Sequence, residues 1–223
     1  MKTQSVHMSL RGLLLLVLSV CAFAVIAGPP LLCHPFDTAG APSLAWGGKG
    51  WNQASADYNL RTLSANTEAL LKADTLVIAR METLRRAAIY ASRDAAIARQ
   101  LLSRLNARIA GASTPESQAL ARFDSGYFSE TLQEVVRLQG YDMPGVGKVD
   151  TNGLRAMLAK VDGSAQVDAA IKLRPNDPSM RFAAALIAAA DQRKSAYATH
   201  ARIARAGASN DRLLALNVQQ IAN

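Results

Sequence analysis

Cys33, His34 and Asp37 form the tightest group of nucleophile, base and acid in the chain, within Leu32-Cys33-His34-Pro35-Phe36-Asp37. A thiol beside an imidazole can act as an activated nucleophile or supply two metal ligands. The spacing disfavours the metal. Neighbours on an extended segment point to opposite sides, zinc takes about four ligands, and His200 is the only other histidine beyond residue 27. A c-type haem would require a second cysteine ahead of the histidine. No cofactor is expected, and an arm anchored through Cys33 outweighs a Cys33 nucleophile with His200 as a distant base.

Two further groups could bind. Trp46 and Trp51 flank Gly47-Gly48 and could stack on a sugar or peptide, although such rings more often bury against a body. Glu82 reaches Arg85 and Arg86 at helical spacings of three and four, so the three could line a binding face, the alternative being a solvated surface or an internal ion pair. The candidate binding residues are therefore Cys33, His34, Asp37, Trp46, Glu82, Arg85 and Arg86, with none assigned to catalysis and none to a metal. Asp150 and Asn152-Gly153 fail as a calcium loop, because Val161 stands where the late glutamate is required.

The elements that must carry these residues divide sharply. Residues 28–61 hold Pro29, Pro30, Pro35, Pro42 and the glycines 47, 48 and 50, which read as an extended arm with turns. Leu31, Leu32, Phe36, Leu44, Trp46 and Trp51 are too apolar for a free linker, so the arm should lie on the body. Residues 62–223 read as a helical, repeat-like domain. Ser64 or Asn66 opens a short helix, and Asp74 or Thr75 caps the next. On that helix Val77, Met81, Leu84 and Ala88 form the apolar stripe, with Arg80, Thr83 and Arg86 off it. Asp94 starts a helix that Gly111 ends. Ser113 with Glu116 makes a capping box, with Thr114 before Pro115 as the alternative cap. Gly126, in the middle of the following helix, marks a close helix crossing. A loop over 140–153 leads to helices near 154–161 and 165–173, and others follow from Ser179, Tyr197 and Asp211. Eight or nine helices joined by short turns imply antiparallel neighbours. Half the residues are hydrophobic but only 5% aromatic, and no segment alternates with a two-residue period, so an all-α fold is expected.

The first 27 residues read as a cleavable signal segment: Lys2 and Arg11 precede a near-continuous apolar run from Gly12 to Ala27, ahead of Gly28-Pro29-Pro30. That run is shorter than the roughly 20 residues of a spanning helix, so no stable membrane span is expected after cleavage. The mature protein would then be periplasmic or extracellular and keep Cys33 alone. Removing Lys2 and Arg11 from the 25 basic residues leaves 23 against 17 acidic ones. The basic residues are scattered, without the dense patch that nucleic-acid binding requires.

From Pro175 onward the chain resembles a tetratricopeptide repeat. Pro175-Asn176-Asp177 matches the inter-repeat turn, Ala185 the small position of the first helix and Ala204 the late alanine of the second. Arg181-Phe182, Tyr197 and Ser209 depart from the pattern. The resemblance implies antiparallel helical hairpins stacked into a right-handed α-solenoid. Leu32 to Asp37 with Ser43-Leu44-Ala45-Trp46 resembles the mature start of an uncharacterised family of exported bacterial proteins, which implies export but brings no activity. Leu132 to Leu158 faintly resembles a peptidoglycan-binding module. The expected function is an exported interaction or scaffold protein that binds a peptide, a protein or an envelope component. The alternatives are a secreted enzyme using Cys33 and His34, and a cell-wall-binding module.

Overall fold

The computed structural model describes residues 29–138 and 147–221. The expected signal segment, residues 1–27, and residues 140–146 of the expected loop lie outside the described residues.

Among the described residues the protein is all helical, without a strand. Its helices are α1 (Leu63–Leu70), α2 (Val77–Ala91), α3 (Ala95–Gly111), α4 (Pro115–Arg137), α5 (Thr151–Leu158), α6 (Gly163–Leu173), α7 (Pro178–Ala190), α8 (Lys194–Gly207) and α9 (Arg212–Asn217). None is long and apolar enough to cross a membrane.

Short acidic side chains set most of the starts, by accepting backbone N–H groups that have no partner inside the helix. Asp94 accepts from Ala96 N at 2.7 Å, Asp162 from Ala165 N at 2.8 Å, Asp177 from Met180 N at 2.9 Å and Asp211 from Leu214 N at 3.0 Å. Several starts differ from expectation: α1 opens at Leu63 rather than at Ser64 or Asn66, α6 at Gly163 rather than near 165, and α8 at Lys194 rather than at Tyr197. At α4 the box is closed by Thr114 and Ser117 rather than by Ser113 and Glu116. At α5 the Asp150 carboxylate accepts from Gly153 N at 3.0 Å, which moves the start back from Leu154 to Thr151. At α2 neither Asp74 nor Thr75 caps. The Thr75 hydroxyl donates to Leu70 O and accepts from Lys72 N, so the cap falls to Leu76, with no side-chain bond.

The 23-residue α4 is the hub and packs against α2, α3, α5, α6 and α7. Its closest neighbour is α6. A Cβ on Gly126 would come within 2.6 Å of the Gly163 carbonyl oxygen, and one on Gly163 within 2.7 Å of the Gly126 carbonyl oxygen. Two glycines facing each other therefore let the backbones meet. On the other side α7 pairs with α8 and also touches α2, α4 and α9.

Every residue of α2 except Arg86 is buried. Arg80 and Thr83, expected off the apolar stripe, are fully buried with it, because α2 lies between α4 and the chain segment ahead of α1. Burying Arg80 requires partners. It donates to Asp124 at 2.7 Å, to Thr75 O at 2.9 Å and to Lys72 O. Arg108 joins the same carboxylate at 3.1 Å and holds Leu71 O at 2.6 Å. One buried aspartate thus ties α2, α3, α4 and the 71–75 turn together.

Candidate functional site

The segment from Pro29 to Asn59 contains no α-helix, and Leu31, Leu32, Phe36, Leu44 and Ala54 are buried. The arm bonds itself only at its turns, as from Cys33 N to Pro29 O at 3.0 Å and from Gly47 N to Gln53 O at 2.8 Å, so the surface that receives it must supply the remaining donors and acceptors. Here they are side chains of α2, α4 and α9.

Glu134 of α4 accepts from Leu31 N at 2.8 Å, while the Leu32 N–H turns back to Pro29 O at 3.3 Å. Glu82 of α2 accepts from Phe36 N at 3.1 Å. Arg85 grips Glu82 with Nε and Nη2, both at 2.8 Å, while its Nη1 donates to Leu32 O at 3.1 Å and Trp51 O at 3.0 Å. Arg86 donates to Glu82 at 2.7 Å and to Leu44 O at 2.6 Å. One turn further on, the Tyr90 hydroxyl donates to Ala45 O at 2.7 Å and accepts from Ser55 N at 3.0 Å. Asn217 of α9 takes both backbone groups of Asp37, accepting at 2.8 Å and donating at 2.9 Å. Residues 82, 85, 86 and 90 share one side of α2 because three- and four-residue steps keep a helix face.

Rings close the contact. Phe36 meets Phe182 of α7 edge-on at 6.0 Å, and Tyr58 stacks on Tyr90 at 4.1 Å. Trp46 approaches Tyr90 edge-on at 5.6 Å while the Arg85 and Arg86 guanidinium carbons sit 5.3 and 5.4 Å from its ring. Its Nε1 donates to Gly50 O at 2.8 Å, which fixes the turn around Gly47-Gly48.

The electrostatics follow from burial. Glu82 stays below its usual carboxylate range: desolvation pushes it up, but the bonds and charges of Arg85 and Arg86 more than offset it. Glu134 has no guanidinium bonded to it, and desolvation pushes it up to about 7, against the bond from Leu31 and the charge of Arg137. The Cys33 thiol is raised to about 11, first by desolvation and then by Glu134. It therefore stays protonated at neutral pH, and a nucleophile needs the thiolate.

The candidate residues thus fall into two groups. Trp46, Glu82, Arg85 and Arg86 come together, with Glu82 and Arg85 buried rather than presented to solvent. Cys33 and His34 are half-buried and Asp37 is exposed. No group of three or more His, Cys, Asp or Glu able to hold a metal occurs among the described residues. Glu134, Tyr90 and Asn217 were missed. Their partners lie 103, 45 and 180 positions away, and no local pattern signals such pairs.

No protein-family model, curated protein or solved structure matches the chain.

Proposed function

We propose that the protein is an exported scaffold of the tetratricopeptide-like kind whose inner face holds extended polypeptide, its own arm being the polypeptide held in the free state. In this reading α2–α3, α4–α6 and α7–α8 are three stacked hairpins, with α5 inserted in the second. The packing of α4 on α6 and of α7 on α8 supports it, as does the run of contacts among α2, α4 and α7. The observation that carries it is the chemistry of the arm's seat. Glu134, Glu82, Arg85, Arg86, Tyr90 and Asn217 all bond the arm's main chain. Side chains that read backbone groups accept any extended sequence that fills the apolar pockets.

The test places a specific protease site in the exposed Gly48-Lys49 turn of the folded protein. After nicking, the bound upstream fragment should exchange with a labelled synthetic peptide of residues 29–48, and other extended peptides should compete. A fragment that never exchanges is a permanent part of the core and removes the reading. Export is tested by fractionating cells and sequencing the protein's amino terminus. The expected result is a chain starting at Gly28 in the envelope fraction, and an uncleaved cytosolic chain overturns it.

A further inference from the structure

A groove of about 440 Å³ runs between α6 and α7, lined by Asp168, Ile171, Lys172, Pro175 and Arg181. Arg181 follows α7 at about 100° around the axis from Phe182, the residue that meets the arm.

Two polar atoms in this region have no use within the fold. The Arg181 Nε is shielded from solvent without a hydrogen-bond partner, and so is Nδ1 of His200 on α8. This stands out beside Arg80, Arg85, Arg86 and Arg108, each of which is bonded to a carboxylate and a backbone carbonyl. A shielded N–H without a partner is costly to keep, and the planar fork of donors on this half-buried arginine matches an oxyanion. Burial pushes the His200 imidazole below its ordinary value; the charges of Arg181 and Arg193 add to this, and Asp168 opposes it. His200 feels the charges of both Arg181 and Asp168 and so lies close enough to report on the groove.

We propose that this groove binds a small organic carboxylate with a short apolar body. The carboxylate sits against Arg181, with Lys172 adding a donor, and the apolar part lies on Ile171 and Pro175. The volume suits a ligand of amino-acid size. Asp168 on the same wall repels a second negative charge and offers a partner to an ammonium group.

Only His34 and His200 occur beyond residue 27, so the His200 imidazole resonances can be followed by NMR in the mature protein. Leucine and 4-methylpentanoate, which differ by the amino group, are the probes. At least one should shift the His200 signals saturably with a Kd of about 1 mM or tighter, leave His34 unmoved and raise the His200 pKa. Tighter binding of leucine means that Asp168 engages the ammonium, and tighter binding of 4-methylpentanoate means a simple anion site. Arg181→Gln should weaken binding at least about tenfold and leave the unfolding midpoint unchanged or higher, because no internal partner is lost. Lys172→Gln, at an exposed position, gives the same reading should the first variant fold poorly. Silence from both probes up to about 10 mM, or equal binding by the variants, overturns the proposal.

Discussion

Among single residues, magnitudes separate side chains of similar type. Arg85 and Arg86 both bond Glu82, but Arg85 is fully buried and holds two arm carbonyls, whereas the Arg86 side chain is 23% exposed. Arg85→Ala leaves the Glu82 carboxylate short of its main partner in a dry site, so about 3–5 kcal/mol of stability should be lost. Arg86→Ala should cost about 1 kcal/mol. Urea denaturation of both variants distinguishes them, and similar losses would mean that the buried pair carries no special weight. Glu134 sets a pH dependence. Its folded value of about 7 exceeds its ordinary 4.5, so the folded state binds a proton that the unfolded chain has already released. Its contribution is complete below pH 4.5 and is lost as pH rises through 7, by roughly 3 kcal/mol in all. Glu130 and Asp124 are also raised by burial and act in the same direction, whereas Glu82 is lowered and acts below this window. His200, lowered by burial, opposes this near pH 6, but the larger shift of Glu134 to about 7 sets the sign: the urea midpoint should fall between pH 5 and pH 8, and Glu134→Gln should flatten the slope. A midpoint that rises with pH would contradict the burial of these groups.

Among the elements, α4 and α6 depend on the approach of Gly126 to Gly163. A methyl group at Gly126 meets a backbone carbonyl that cannot rotate away, so Gly126→Ala should destabilise by about 1–3 kcal/mol, although alanine is the better helix former. A raised melting temperature would place the helices further apart than described. This crossing was legible in the sequence, since a glycine inside a long amphipathic helix weakens that helix unless a neighbouring backbone takes up the space. The starts at Asp94 and Asp211 were legible too, because a cap is a local bond; the helix after Asp177 opens at Pro178, one residue ahead of the expected Ser179. The start of α2 was not, because Thr75 closes the preceding turn. Nor was the burial of Arg80 and Thr83 legible, since the periodicity of α2 assumes one wet face and a distant segment covers it.

For the molecule as a whole, the composition announced helices and the prolines announced an arm, but nothing local indicated where the arm would lie. Its seat is assembled from α2, α4, α7 and α9, and only the fold brings these together. In hydrogen exchange, the amides of Leu31, Phe36 and Asp37 should be protected to within about tenfold of those in α4, because each is bonded to a helix side chain. Exchange at the rate of an open loop would show an arm that is docked only weakly.

The clasp between Asp37 and Asn217 joins positions 180 apart, and that dictates an order of assembly. Most of the arm's seat is on α2 and α4, but the stretch around Asp37 lacks its clasp until the last helix has emerged, so its closure trails helix formation. Both tryptophans of the chain, Trp46 and Trp51, lie in the same arm, against Arg85 of α2. On refolding, tryptophan fluorescence should recover more slowly than far-ultraviolet ellipticity, because the arm can dock only on helices that have already formed.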